Sequence, residues 1–251
     1  MKKIIIIGAT SAIAKECIRI WINNGPTDIT LVVRNIENAK PLLADLQVRS
    51  PQSRFQLLLG EFMSPVLIHN LAVNISSKGA LDIVLIAHGA LPEQEQCQQD
   101  ILLCKETIDI NGVSPCLFAE AFANVMQNQT KGTIAVIGSI AGDRARKSNY
   151  VYGAAKGLVA KYIQGMQHRF ASKNLKIILI KPGPTATPMT EKLRTKSDSR
   201  HQKFVSVNIV AQDIVDGIEK GKAIIYSPHK WQIVMCIIQH IPSFIFNKLN
   251  I

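Results

Sequence analysis

The stretch Lys2-Lys3-Ile4-Ile5-Ile6-Ile7-Gly8-Ala9-Thr10-Ser11-Ala12-Ile13-Ala14 decides the fold. Four successive isoleucines, apolar at every position, read as a strand buried on both faces. Gly8 permits a tight turn. Beyond it, apolar residues through Ile18, Trp21 and Ile22 keep helical spacing, so the segment is strand, turn, helix. A helix N-terminus offers unpaired N–H groups and partial positive charge, which suits a dinucleotide pyrophosphate approaching the turn. Gly8, Thr10, Ser11, Ala12 and Ile13 are the candidate contacts, with the two hydroxyls as extra donors. A glycine-rich turn would have glycine where Ala12 and Ala14 stand, and Ala12 puts a Cβ where backbone and phosphate approach. Taken alone, the pattern also suits an ordinary strand-to-helix connection.

Moving outward, the next strand, Ile29-Thr30-Leu31-Val32-Val33, ends at Arg34-Asn35. An acidic residue there would bind a ribose 2′-hydroxyl and indicate NAD, whereas a basic one suits the 2′-phosphate of NADP. Asp28 is at the wrong end of the strand, so Arg34 points to NADP; NAD stays open because a folded-back loop would bring Glu37 close. Further apolar strand candidates at 55–59, 81–86, 133–138, 175–180 and 223–226 alternate with helix-length segments. This order predicts one α/β domain, a Rossmann-type doubly wound parallel sheet with helices on both faces. The polar stretch Pro92 to Asp100 reads as a surface loop beyond the fourth strand.

Tyr152 stands four residues before Lys156, and Ser139 follows the apolar run ending at Gly138. Positions i and i+4 share a helix face, so phenol and ammonium can share a pocket that Ser139 enters from a strand end. A nearby cation favours phenolate and is expected to lower the phenol's pKa from about 10. Reducing a ketone requires a hydride for carbon and a proton for the developing alkoxide. Tyr152 would supply the proton, Ser139 would hydrogen-bond the carbonyl oxygen, and Lys156 would tune the tyrosine and hold a ribose.

The 251 residues, 47% hydrophobic, suffice for a sizeable core. Cys17, Cys97, Cys104, Cys116 and Cys236 include no C-x-x-C and no partnered histidine cluster, so a reduced cytoplasmic setting and no metal are expected. The first strand starts at once, leaving no room for a signal peptide, and no apolar run is long enough to span a bilayer. A formal charge of +11 fits an anionic cofactor, substrate or membrane surface. Without a recognisable module or aromatic-basic interleaving, nucleic acid is not expected as a partner.

Together these residues resemble the short-chain dehydrogenase/reductase family over essentially the whole chain. The matching pieces are Gly8 to Ala14, Asn111 in Asp-Ile-Asn-Gly, Ser139, Tyr152, Lys156 and Pro182-Gly183-Pro184-Thr185-Ala186-Thr187. The resemblance implies that Asn111 distorts its helix and supports a water relay to Lys156, completing an Asn-Ser-Tyr-Lys tetrad. It also places Pro182, Gly183, Thr185 and Thr187 beside nicotinamide, and Ala87 and Gly89 on the adenosine side. Here Ile86-Ala87-His88-Gly89 departs from the family's usual Asn-Asn-Ala-Gly. His88 is read as a hydrogen-bonded cleft residue without a catalytic task. A homodimer or homotetramer paired through helices flanking the sheet is implied.

Residues 139–153 and the ending at 240–249 further resemble reductases that act on the keto-sugar of a polyprenyl-phosphate intermediate. The expected activity is therefore NAD(P)H-dependent reduction of a ketone, either lipid-linked or soluble, by a domain spanning 1–227 with a substrate loop at about 184–207. A non-catalytic dinucleotide sensor is the alternative from another class, although it has no chemical need for the tetrad. The cluster Arg144-Ala145-Arg146-Lys147 offers charge to a substrate phosphate, or is simply a solvated face. The extension 228–251 has no acidic residue, and Pro242 should break it into two short helices. Its apolar residues with flanking Lys230 and Lys248 suit peripheral contact with the inner face of a membrane, or burial against a subunit or the cleft.

Overall fold

A computed structural model describes residues 1–191 and 204–249. Seven parallel strands form one sheet in the order β3-β2-β1-β4-β5-β6-β7. They are β1 Lys2–Ile7, β2 Thr27–Val33, β3 Arg54–Leu59, β4 Ile83–Ile86, β5 Gly132–Ile137, β6 Leu175–Pro182 and β7 Ile224–Ser227. Between them run α1 Ala12–Asn23, α2 Lys40–Arg49, α3 Pro65–Ser76, α4 Gln94–Gln99, α5 Ile101–Ile108, α6 Ser114–Met126, α7 Tyr150–Arg169 and α8 Val207–Glu219. After β7 come α9 Lys230–His240 and α10 Ser243–Phe246, on either side of Pro242 as expected.

Alternation along β1 explains both layers. Ile4 and Ile6 enter a core shared with α1, α2 and α8, while Ile5 and Ile7 enter one shared with α3, α6 and α7. All four are fully buried, which is why the strand reads as an unbroken apolar run. β1 pairs with β2 on one side and β4 on the other, with Ile7 opposite both Val32 and Ile86. Successive strands therefore build away from this pair in opposite directions, and a crevice opens beyond the carboxyl ends of β1 and β4.

The expected loop at Pro92 to Asp100 is instead largely helical, as α4. Its one-sided anchoring is the reason: Gln94 and Cys97 are buried, and Gln94 Oε1 accepts the backbone N–H of Val151 at 3.1 Å. Tertiary contact thus holds a helix that local apolar periodicity does not announce. The 192–203 part of the expected substrate loop lies outside the described residues.

Candidate active site

Gly8 closes β1 with φ +82°, and its N–H donates to Val32 O at 2.9 Å. A Cβ there would meet His88 N at 2.8 Å and His88 Cα at 2.9 Å, so both backbone conformation and space require glycine. Ser11 precedes α1 without spending its hydroxyl on a cap, and no acidic side chain occupies the first turn. That leaves donors and positive helix-end character directed at the crevice. Glycine cradle, free helix end and cation at the end of β2 together fit a dinucleotide. Arg34 is exposed beside this turn, whereas Glu37 is paired with Lys40 at 2.7 Å.

Close backbone packing creates the corner that holds the candidate catalytic residues. Ser139 follows β5 and precedes a 3-10 turn over Ile140–Gly142, its Oγ accepting from Ala141 N at 3.1 Å. A Cβ on Gly142 would lie 2.6 Å from the carbonyl carbon of Lys156, and one on Gly153 would lie 3.0 Å from Ala141 O. Glycine at these positions lets α7 approach the turn closely enough for Tyr152 and Lys156 to share its pocket. Lys156 is buried and donates to Ile137 O at 3.0 Å.

Asn111 lies in a π-helical turn, Asp109–Val113, between α5 and α6. Fully buried, it donates through Nδ2 to Thr107 O at 2.8 Å and accepts Ala90 N–H at Oδ1 at 2.9 Å. A side chain on Gly89 would start 2.7 Å from Asn111 Oδ1 and 3.8 Å from Lys156 Nζ. Gly89 therefore keeps open the space between asparagine and lysine.

The electrostatics correct the expected order of effects. Burial pushes the Tyr152 phenol up to about 12, with a Ser139 hydrogen bond opposing it, and pushes Lys156 down to about 8. Loss of hydration therefore outweighs any help the ammonium gives the phenolate. His88 is likewise held neutral, burial and then the Lys156 and Arg34 charges driving its pKa down to about 3. Its Nε2 shares a 2.9 Å hydrogen bond with Ser114 Oγ, and its ring packs edge-on to Phe62 and Phe118. Such an imidazole exchanges no proton near neutral pH.

One cleft of about 690 Å³ collects Gly8, Thr10, Ser11, Ala12, Ile13, Arg34, Ala87, Gly89, Asn111, Ser139, Tyr152, Lys156, Pro182, Gly183, Thr185 and Thr187. Lys15, Asn35, Asn38, Phe62, Asn149, Met189 and Phe204 also line it and were not singled out as site residues from sequence, and so does Arg146, which was read there only within the basic cluster 144–147. The Pro182-Gly183 turn is backed by α9: a Cβ on Gly183 would fall 2.1 Å from Trp231 Nε1. Arg144, read as a candidate phosphate partner, is committed elsewhere. Its Nη1 donates to the carbonyls of Ile238, Gln239 and Ile241 at 3.1, 2.9 and 2.7 Å, and its guanidinium lies 4.0 Å above the Phe246 ring. It joins the segment after Ser139 to the turn between α9 and α10.

The family model described as short chain dehydrogenase matches residues 2–198. The chain belongs to the short-chain dehydrogenase family. It is 24% identical over 255 residues to an uncharacterized oxidoreductase of Streptomyces coelicolor, covering 99% of this chain and 96% of that one. Among solved structures, it resembles a short-chain dehydrogenase from Sphingobium yanoikuyae in complex with NADPH, with TM-score 0.79, 19% identity and 97% of each chain covered. A short-chain dehydrogenase/reductase from Burkholderia phymatum in complex with NAD gives TM-score 0.80 at 14% identity, covering 96% of both chains. As a short-chain dehydrogenase the chain is an oxidoreductase, and at these identities the two structures speak for the fold.

Proposed function

We propose that this short-chain dehydrogenase is an NADP(H)-dependent carbonyl reductase, with NAD(H) as the alternative cofactor. The observation that carries the reading is the convergence of Asn111, Ser139, Tyr152 and Lys156 on the cleft that begins at Gly8. The dinucleotide, when bound, supplies the hydride. Tyr152 gives its phenolic proton to the developing alkoxide, and Ser139 Oγ donates a hydrogen bond to the same oxygen. Lys156 places a positive charge beneath the phenol and holds the ribose. Asn111 fixes the distorted helix beside it, so the lysine can exchange protons with solvent. Arg34, with Glu37 occupied by Lys40, favours the 2′-phosphate.

The leading substrate is a lipid-linked or phosphorylated keto-sugar, supported by the likeness of residues 139–153 and 240–249 to decaprenylphosphoryl-2-keto-pentose reductase. Oxidation of NADPH and NADH should be followed against a polyprenyl-phosphate keto-sugar and soluble ketones. Tight dinucleotide binding with no ketone reduced would instead favour a sensor.

Peripheral membrane contact belongs to the same reading. Ile233, Ile237, Phe244 and Ile245 are exposed on α9 and α10, among lysines and without a single carboxylate. No helix among the described residues is long and apolar enough to cross a membrane, so these short helices would lie in its interface. The protein should co-sediment with anionic liposomes at low salt. Replacing Ile233 and Ile237 together by Asp should release it without loss of turnover. Indifference of the wild type to such liposomes would end the membrane reading and leave the reductase untouched. A homodimer or homotetramer is proposed on family grounds, and light scattering would read it directly.

A further inference from the structure

The cleft wall carries a cation that the described residues leave without a counter-charge. Arg146 lines the cleft, its Nε is buried without a hydrogen-bond partner, and Nη2 makes a long contact, 3.9 Å, with the Met235 sulfur. Burial pushes its pKa down, as expected of a cation losing hydration. Asp143, close in sequence, is not available to it: that carboxylate is held by Lys181 Nζ at 2.5 Å and Tyr226 Oη at 3.1 Å. Arg144 is fixed on α9, and Lys147 is exposed. Of the basic cluster, Arg146 therefore remains for a ligand.

Asn149 lines the same wall. It stands at the start of α7 yet makes no side-chain cap, and its Oδ1 is buried without a partner. A hydrogen bond from Asn149 N to Arg146 O, 3.1 Å, ties the two residues into one turn. Buried polar atoms left unpaired weaken a fold, and a ligand that satisfies them gains the corresponding interaction. An unpaired guanidinium calls for an anion with at least two oxygens, and an unpaired amide oxygen calls for a hydroxyl donor.

We propose that Arg146 and Asn149 form a substrate subsite that selects hydroxylated ketones bearing a phosphate group. The proposal rests on the carbonyl-reductase reading and names its substrate class. Arg146 grips the phosphate oxygens, Asn149 Oδ1 accepts from a substrate hydroxyl, and the carbonyl is thereby directed toward Tyr152 and Ser139.

Calorimetric titration in saturating NADP⁺, which fills the helix-end phosphate site but has no hydride to give, compares dihydroxyacetone phosphate with dihydroxyacetone. Wild type should bind the phosphate form at least about tenfold more tightly, and Arg146→Gln should reduce that preference by about 10- to 100-fold. Arg146→Lys should restore part of it, since charge remains without the planar fork. Lys147→Gln, which makes the same change in net charge at an exposed site, should leave the preference intact. A farnesyl-phosphate-linked keto-pentose, titrated in the same way, separates a lipid-borne phosphate from a free one: the form whose affinity depends more on Arg146 is the form recognised. Equal wild-type affinity for the phosphorylated and unphosphorylated ketones, or equal losses on Arg146→Gln, would overturn the subsite. Because affinity is read without turnover, Arg146-dependent phosphate binding by a protein that reduces no ketone would refute the reductase reading alone. Reduction of neutral ketones without phosphate preference would refute the subsite alone.

Discussion

The Lys156 ammonium lies 5.7 Å from the centre of the Tyr152 ring and donates to the backbone oxygen of Ile137. The lysine is therefore aimed past the ring, at the end of β5. With the phenol pushed up to about 12 and the ammonium down to about 8, the first group to lose its proton on raising pH is the lysine.

If the charged lysine and neutral phenol form the reducing state, kcat/KM for NADPH should fall above about pH 8, because that parameter reports the free protein. Tyr152→Phe should lower turnover by about 10²- to 10⁴-fold while leaving dinucleotide affinity close to normal. Stopped-flow reduction and fluorescence titration of NADPH separate the two effects. A variant that keeps most of the wild-type rate would remove Tyr152 from the proton-donor role.

Stability carries the same signature with a defined sign. Between about 8 in the folded protein and the ordinary 10.5 of an unfolded chain, the unfolded state holds more protons at this lysine. Its contribution to stability therefore rises with pH across that window, and below it the cost of burying the charge is present in full. Subtracting urea unfolding curves of Lys156→Met from wild type at several pH values isolates the effect. A difference that stays flat from pH 8 to pH 10 would show that Lys156 keeps an ordinary pKa.

Cofactor choice should turn on Arg34. Arg34→Asp replaces a phosphate partner by a like charge, and should weaken NADPH relative to NADH by roughly 1.5–3 kcal/mol. Equal loss for both dinucleotides, measured by calorimetry, would remove Arg34 from 2′-phosphate recognition.

Gly183→Ala should force Trp231 off the Pro182-Gly183 turn, destabilising the fold by about 1–3 kcal/mol through overpacking. Adding Trp231→Ala should recover part of that loss, since the clash then has no partner. Denaturant midpoints of the two single variants and the double variant test the coupling. Strict additivity would mean that the two residues act independently.

Strand positions were legible where buried parallel strands leave unbroken Ile, Leu and Val runs, as at Ile83–Ile86 in β4; β3, at the sheet edge, is half exposed and its segment 55–59 is interrupted by Gln56. The residues Ser139, Tyr152 and Lys156 were legible through spacing. What spacing could not convey was hydration: no local pattern says that burial dominates the phenol. Nor could sequence separate Arg144 from Arg146, since each belongs to the same basic run and only the placement of α9 assigns one to a helix end and the other to the cleft. The polar α4 was hidden for a related reason, its anchor being a backbone N–H on another helix.

The π-helical turn at Asn111 makes the path from Ile101 to Met126 a single rod with a surplus residue in its middle. At 3.6 residues per turn, each residue advances the helix face by about 100°, so the two halves are out of phase by roughly that angle. Shortening the segment by one residue would bring the halves back into step and give a more regular helix. It would also turn Asn111 away from Gly89 or swing α6 off the sheet, so the irregularity serves as a phase shifter that lets one rod face two neighbours.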